Sequence, residues 1–514
     1  MNATLWRPIF TLAIFSLLPF AAFLAENREE TSFDLDLLLY ALVLLVPGLV
    51  ALALARRLRG PRAGERVAVV FAVGLFLFFQ YQLIGDLAEL IGISSLGDWV
   101  DVAVWLAFFA GAIVLATRVS KHSLSWNYLL VAGALLLALP VAQYVNFKAT
   151  EPAPASIQSS AGGPSFEGEP PEDRPNVYYL LLDGYGNAEE IEAATGYDIS
   201  PFTERLSERG FVVHDDTIAN YPVTYLSLAS TLAMEYPLGS GPIGDHGPYY
   251  DELSGDNAVV RAFHELGYRF IHASDWTTLE CSEKADVCLR PSKGTIEGIG
   301  GERERAILEA TPLTTVLPTL DIEIHALSGY LSPDEVGRKV EAERGKRPIF
   351  ALAHIIAPHP PFRYGPGCEL RDAREVGSLE EWGKAGGVGG EEYARAIDCL
   401  NPEVLSMIDR IEARDPDAIV VVAGDHGPRF GFDFERPESQ WTRPQFAQRF
   451  GMLNAQRLPE HCRSSAPEAA APVNTFRIIL ACITGRELKL LPAKHYLVDQ
   501  NENELERVDE GLLP

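Results

Sequence analysis

The chain has 514 residues, 47% of them hydrophobic, and a formal net charge of −27 at neutral pH. That hydrophobic content excludes disorder of the whole chain, and the sign of the charge excludes a nucleic-acid binder, whose affinity comes from neutralising phosphates. The two properties are segregated: the first 150 residues carry ten basic and ten acidic side chains, so the entire −27 lies in the remainder.

Five apolar runs come first, over residues 9–25, 37–55, 67–84, 100–117 and 128–145. Each is about 17 to 19 residues, the length needed to cross a hydrocarbon core as a helix. The first could serve as a signal peptide, but four more runs follow, which predicts an uncleaved helix and an α-helical five-span anchor over 1–148. Arg56, Arg57, Arg59, Arg62 and Arg66 follow the second run, and Arg118 and Lys121 follow the fourth. The loops after the first and third runs are acidic. The positive-inside rule places the basic loops and the amino terminus in the cytoplasm, and an odd number of spans then puts everything beyond the fifth outside, at a bacterial-type plasma membrane.

Residues 149–175 are rich in Pro, Gly, Ser and Glu without apolar periodicity, and read as an exposed linker. Over 176–514 short β-rich runs alternate with helical stretches, which predicts one α/β domain with a large, mostly parallel sheet flanked by helices. Strands are expected at 177–182, 211–214, 268–272, 349–354, 418–423 and 450–454, and helices at 201–208, 224–234, 258–266, 402–413 and 474–483. All six cysteines lie in this part. Their even number and neighbour spacings suggest disulfides 281/288, 368/399 and 462/482, with free core thiols as the alternative. Zinc ligation is disfavoured because no Cys-x-x-Cys pair occurs. Disulfides would place the domain outside the cytosol.

The chemistry-bearing residues sit where predicted strands end. The run Val177–Leu182 stops at Asp183-Gly184, and Ala418–Ala423 stops at Gly424-Asp425-His426-Gly427. In open α/β sheets that edge binds ligands, and two carboxylates with an imidazole offer hard oxygen and nitrogen ligands to a divalent ion. Asp245-His246-Gly247 repeats the tripeptide with no strand before it, and reads as a surface loop. Thr224 begins a helical stretch after Asn220-Tyr221-Pro222-Val223, where a helix amino terminus favours an alkoxide or a bound phosphate. The blander reading is an N-cap threonine. His359, in a proline-rigid loop after a strand, suits a fixed contact to phosphate oxygen or a leaving group. His354 reads as a core histidine or a further substrate contact, and Asn220 and Arg429 are candidate substrate contacts.

The succession strand-Asp183-Gly, Asn-Tyr-Pro-Val-Thr224-x-x-Ser227, His354 with Pro-His359-Pro-Pro-Phe, and strand-Gly-Asp425-His426-Gly resembles the alkaline phosphatase superfamily in its sulfatase-like branch. With the membrane helices it resembles lipoteichoic acid synthases and, more distantly, lipid phosphoethanolamine transferases. The resemblance implies one divalent ion (Mn, Zn, Mg or Ca) held by Asp183, Thr224, Asp425 and His426, a covalent phospho-intermediate on Thr224, and substrate contact by His359. The Cys/Ser-x-Pro-x-Arg motif of sulfatases has no counterpart after Asn220, and Asp183 stands where lipoteichoic acid synthases use Glu. The expected function is a membrane-anchored phosphotransferase or phosphodiesterase acting on a lipid-linked or envelope phosphoester. The alternatives are a sulfuric ester hydrolase or phosphatase, and a non-catalytic envelope protein that binds lipid or a partner.

Overall fold

The computed structural model describes residues 6–28, 31, 33–83, 98–119, 123–150, 171, 174–276, 281–291, 307–308, 310–317, 330–343, 345, 347–360, 362–371, 388–430, 440–463, 471–486, 489–499 and 504–513. The chain forms two compact units, Met1–Glu151 with Gly294–Ala326, and Pro152–Lys293 with Leu327–Pro514. Most of the expected linker lies outside the described residues.

The first unit is helical: α1 (Trp6–Glu26), α2 (Leu35–Arg59), α3 (Pro61–Phe78), α4 (Asp98–Val119) and α5 (Ser123–Thr150). Four stretches, Trp6–Glu26, Leu35–Arg59, Trp99–Arg118 and Asn127–Thr150, are long and apolar enough to cross a membrane. The expected span over 67–84 is only partly described. Its helix starts earlier, at Pro61 after Gly60 (φ +86°), so Arg62, Glu65 and Arg66 occupy its first turns and the apolar part shrinks to Val67–Phe78. The expected end at Ile84 lies outside the described residues. Small residues bring α3 close to its neighbours: a Cβ on Gly64 would stand 2.2 Å from Arg56 Cγ, and Ala68 and Ala72 are fully buried. Outward-facing Val43, Val46 and Val50 are more than half exposed, as suits a lipid-facing surface. The chain re-enters this unit late in the sequence, where Ile307 packs against the cluster of Phe20, Phe23, Leu24, Leu37 and Ala41, and the Tyr81 amide donates to the Ala310 carbonyl at 3.3 Å.

The second unit holds ten strands among its described residues: β1 (Val177–Leu182), β2 (Val212–Val213), β3 (Gly241–Pro242), β4 (Arg269–Ser274), β5 (Val287–Leu289), β6 (Ile349–Ile355), β7 (Ile419–Ala423), β8 (Asn454–Arg457), β9 (Tyr496–Asp499) and β10 (Glu504–Arg507). Seven form one sheet in the order β2-β8-β7-β1-β6-β4-β5, parallel except that β8 runs antiparallel to both its neighbours. The other three form a small sheet, β3-β10-β9. Alternation along β1 feeds two cores: Val177, Tyr179 and Leu181 face one, Tyr178, Leu180 and Leu182 the other. Buried on both faces, the central strands read as continuous apolar runs. The helices that supply these cores are α6 (Ser200–Glu208), α7 (Thr224–Ala233), α8 (Gly247–Ser254), α9 (Ala258–Glu265), α10 (Pro333–Ala342), α11 (Val388–Arg414), α12 (Arg443–Phe450) and α13 (Thr475–Thr484).

Two expectations shift. The strand expected at 450–454 lies at 454–457, because a capping box of Thr442 and Gln445 carries α12 through to Phe450. The helix expected at 402–413 begins at Val388 and continues through Pro402. The cysteines pair as 281–288, 368–399 and 462–482.

Candidate active site and metal centre

Register places the site. Leu181 on β1 lies opposite His354 on β6 and Ala423 on β7, so the residues that follow all three strands leave the sheet at one edge. Glycines let the two acidic turns meet. A Cβ on Gly424 would stand 2.3 Å from the Tyr185 carbonyl oxygen, and one on Gly427 2.0 Å from that of Gln448. Gly184, at φ +69°, donates its amide to Asp425 Oδ1 at 2.8 Å.

Asp425 Oδ1 accepts a second amide from His426 at 3.0 Å, while its Oδ2 is buried with no hydrogen-bond partner. Asp183 Oδ2 lies 3.1 Å from His354 Nε2, and its Oδ1 is likewise buried and unpartnered. His426 stands between them. Its Nδ1 donates to the Gly427 carbonyl at 3.0 Å, which leaves an Nε2 lone pair 3.2 Å from Asp425 Oδ2, 4.0 Å from Asp183 Oδ1 and 3.1 Å from Thr224 Oγ1. Asp183, Asp425 and His426 offer ligand atoms that all lie within 4.8 Å of one another. Two bare carboxylate oxygens, one neutral imidazole nitrogen and a hydroxyl fit a single divalent cation.

Thr224 is the first residue of α7, so its hydroxyl sits at the helix amino terminus. The helix is tied to the acidic turn by Ser227 Oγ, which donates to the Asp425 carbonyl at 2.7 Å. His359 follows β6 across the cis Ala357–Pro358 bond, and its amide donates to the Asp183 carbonyl at 3.1 Å. Its Nδ1 donates to the Pro360 carbonyl at 2.7 Å, which turns Nε2 into an acceptor. The ring lies 6.4 Å from that of His426 and is only half-buried.

The remaining sequence-predicted residues divide. His354 is buried and braces Asp183, with its other ring nitrogen, Nδ1, unpartnered. Asn220 is fully buried as a brace: its amide donates to Tyr236 Oη and the Lys494 carbonyl and its oxygen accepts the Val473 amide. Arg429 is buried, its guanidinium 5.7 Å from the centre of the Trp441 ring. The surface-loop reading of Asp245-His246-Gly247 is corrected: His246 is buried, caps α8 and stacks on Tyr225 with ring centres 4.4 Å apart.

Three groups escaped the sequence reading. Arg449 on α12 is buried, donates to the Gly427 carbonyl at 2.9 Å and lies 3.3 Å from His426 Nε2. His272 and Asp275, at the end of β4, are buried behind His354, and the Asp275 amide donates to the His354 carbonyl at 3.3 Å. No local motif marks any of them.

Electrostatics follow from this crowding. Burial and the adjacent Asp183 carboxylate push Asp425 up to about 7. Burial also raises Asp183, but His359, His354 and His426 outweigh it and hold the carboxyl well below its usual range. Burial and then Arg449 push His426 well down, keeping it neutral and able to coordinate. His354 is pushed down by burial, yet Asp183 restores and raises it.

The sulfatase family model matches residues 175–455, more than half of the chain. The chain belongs to the sulfatase family. It is thus a member of the sulfatase-like branch of the alkaline phosphatase superfamily, as its motifs led one to expect. No curated protein matches it. Among solved structures it is similar to the C-terminal periplasmic domain of EcEptC from Escherichia coli in complex with Zn, at 12% identity and TM-score 0.41, covering 68% of this chain and 98% of that one. It is similar also to a protein in the alkaline phosphatase superfamily from Vibrio parahaemolyticus (14%, TM-score 0.38, 70% and 80%) and to Ps i-CgsB (13%, TM-score 0.38, 62% and 73%).

Proposed function

We propose that this protein is a membrane-anchored, metal-dependent phosphotransferase or phosphodiesterase that works through a Thr224 nucleophile on a lipid-linked or envelope phosphoester. The observation that carries the reading is the pair of buried, unpartnered oxygens, Asp183 Oδ1 and Asp425 Oδ2, grouped with a neutral His426 that contacts Thr224. Asp183, Asp425, His426 and Thr224 would hold the cation, which when bound lowers the threonine hydroxyl pKa and offsets phosphate charge. Thr224 Oγ1 forms a bond to phosphorus as the bond to the departing oxygen breaks. His359 Nε2 accepts the proton released by the attacking hydroxyl and returns it to the departing oxygen. An acceptor hydroxyl, or water, then repeats the exchange and frees Thr224. The amino end of α7 and buried Arg449 add positive potential where the phosphoryl oxygens gather.

The loop charges and three disulfides support a cytoplasmic amino terminus and an extracytoplasmic catalytic unit. Anchoring offsets the repulsion between a strongly acidic unit and anionic headgroups by raising the effective concentration of a bilayer substrate. The test is a panel of bis-p-nitrophenyl phosphate, p-nitrophenyl phosphate and p-nitrophenyl sulfate, with intact-mass detection of a phosphorylated chain. Diester turnover and an adduct lost in Thr224→Ala are expected. Full activity in that variant, or turnover of the sulfate alone, would overturn the reading.

A further inference from the structure

Two of the histidines at the site are tethered through their own second nitrogen, His426 Nδ1 to the Gly427 carbonyl and His359 Nδ1 to the Pro360 carbonyl. His354 is not. Its Nε2 lies 3.1 Å from Asp183 Oδ2, its Nδ1 has no hydrogen-bond partner, and the residue is 2% exposed. A carboxylate only accepts, so Nε2 carries the proton and donates it. That bond decides which Asp183 oxygen stays bare, because the last torsion of an aspartate has only broad wells of its own. The last torsion of a histidine is equally broad, so the His354 ring must be aimed by its surroundings.

The end of β4 supplies that aim. Ser274 lies opposite His354 in the parallel ladder. Just beyond it, Asp275 clasps β6 at two points: its amide donates to the His354 carbonyl at 3.3 Å, and its Oδ1 accepts the Ile356 amide at 2.8 Å. Asp275 is fully buried, where a lost acceptor is costly. The two bonds fix the backbone on either side of Ile355, and with it the direction in which His354 leaves the strand and the path into the His359 loop. Trp276 then meets the His354 ring edge to face, with centres 5.5 Å apart, while its own amide donates to Ser274 Oγ at 3.1 Å. Backbone and ring are thus held from one short stretch, Ser274-Asp275-Trp276.

We propose that Asp275 and Trp276 are positioning residues for the metal centre: they hold His354 so that its Nε2–H engages Asp183 Oδ2 and leaves Oδ1 to the cation. The proposal rests on the reading of Asp183 as a cation ligand, and its test reads metal affinity rather than turnover. Binding of manganese and, in parallel, zinc to the full-length chain in detergent is measured by isothermal titration, beside the melting temperature in chelator. Asp275→Ala removes the acceptor and weakens binding about tenfold or more, as loss of an outer partner of a metal ligand does. Asp275→Asn keeps an oxygen in the same place and restores affinity to within about twofold of wild type. A merely structural role would lower the melting temperature in chelator and leave the affinity of the folded chain alone. Wild-type affinity in folded Asp275→Ala, or an Asp275→Asn variant as weak as Asp275→Ala, overturns the proposal while the metal site itself stands. Wild-type protein that binds neither ion overturns the reading of the site, and the proposal with it. Should Asp275→Ala fail to fold, half-buried Trp276 decides. Trp276→Ala lowers affinity about threefold or more and Trp276→Phe, which keeps an aromatic edge, does not; equal affinities in these two variants overturn the proposal.

Discussion

Asp183 and Asp425 each bury one carboxylate oxygen outside every hydrogen bond, an arrangement that costs about 1 to 3 kcal/mol or more per group unless something electropositive meets it. Protonation is one remedy and a cation another, and the two compete. Because Asp425 titrates at about 7 against an ordinary 3.8, the metal-free folded state holds this proton more tightly than the unfolded chain does. Its contribution to stability is therefore full below about pH 4 and withdrawn as pH rises toward 7. Asp183, lowered, contributes in the opposite sense, and its share is lost only as pH falls below about 4. A cation needs both carboxylates bare, so its stabilising effect grows across the same interval. Thermal melting of the full chain in manganese against chelator should show a larger difference at pH 7.5 than at pH 5. An equal or smaller difference at the higher pH would remove Asp425 from the ligand set.

At the scale of elements, the site exists because two turns lack side chains. Gly424→Ala places a methyl 2.3 Å from a backbone oxygen that cannot move aside without shifting the end of β1. The expected cost is about 1 to 3 kcal/mol, with retained metal lowered with it, whereas Gly239→Ala, which meets nothing within 4 Å, should leave both unchanged. Melting temperature and metal content on the same samples check this. These elements also show what the sequence could convey. Asp183, Thr224, Asp425 and His426 were legible because each follows an apolar strand or opens a helix, and a parallel sheet brings strand ends to one edge. Arg449 was not, since it comes from a polar helix whose place beside His426 is set by tertiary packing. His246 was misread because a Gly-Pro flank marks a turn equally well outside and inside a fold. The strand at 454–457 hid its nature in Asn454 and Gln456, buried polar residues satisfied by Thr217 and by each other. The apolar stretch just before it attracted the strand assignment instead.

For the whole molecule, segregated charge was readable from composition, but the path of the chain was not. Gly294–Ala326 belongs with the helices although catalytic-unit sequence flanks it on both sides, and nothing in its composition announces that. The chain accordingly passes from one unit to the other three times, not once. A single tether would behave as a leash, whose severance sets the enzyme adrift. Here a protease cut within residues 151–170 would leave the carboxyl-terminal fragment still holding a piece of itself among the helices, Ile307 against the apolar cluster that contains Phe20 and Leu24. Cleavage at a site engineered there should yield two fragments that sediment together with membranes and survive a carbonate wash as one. Release of the catalytic fragment into the supernatant would show that the buried segment is no anchor. Co-sedimentation means that the protein is moored at three points, like a hull that stays at the quay when one rope is cut.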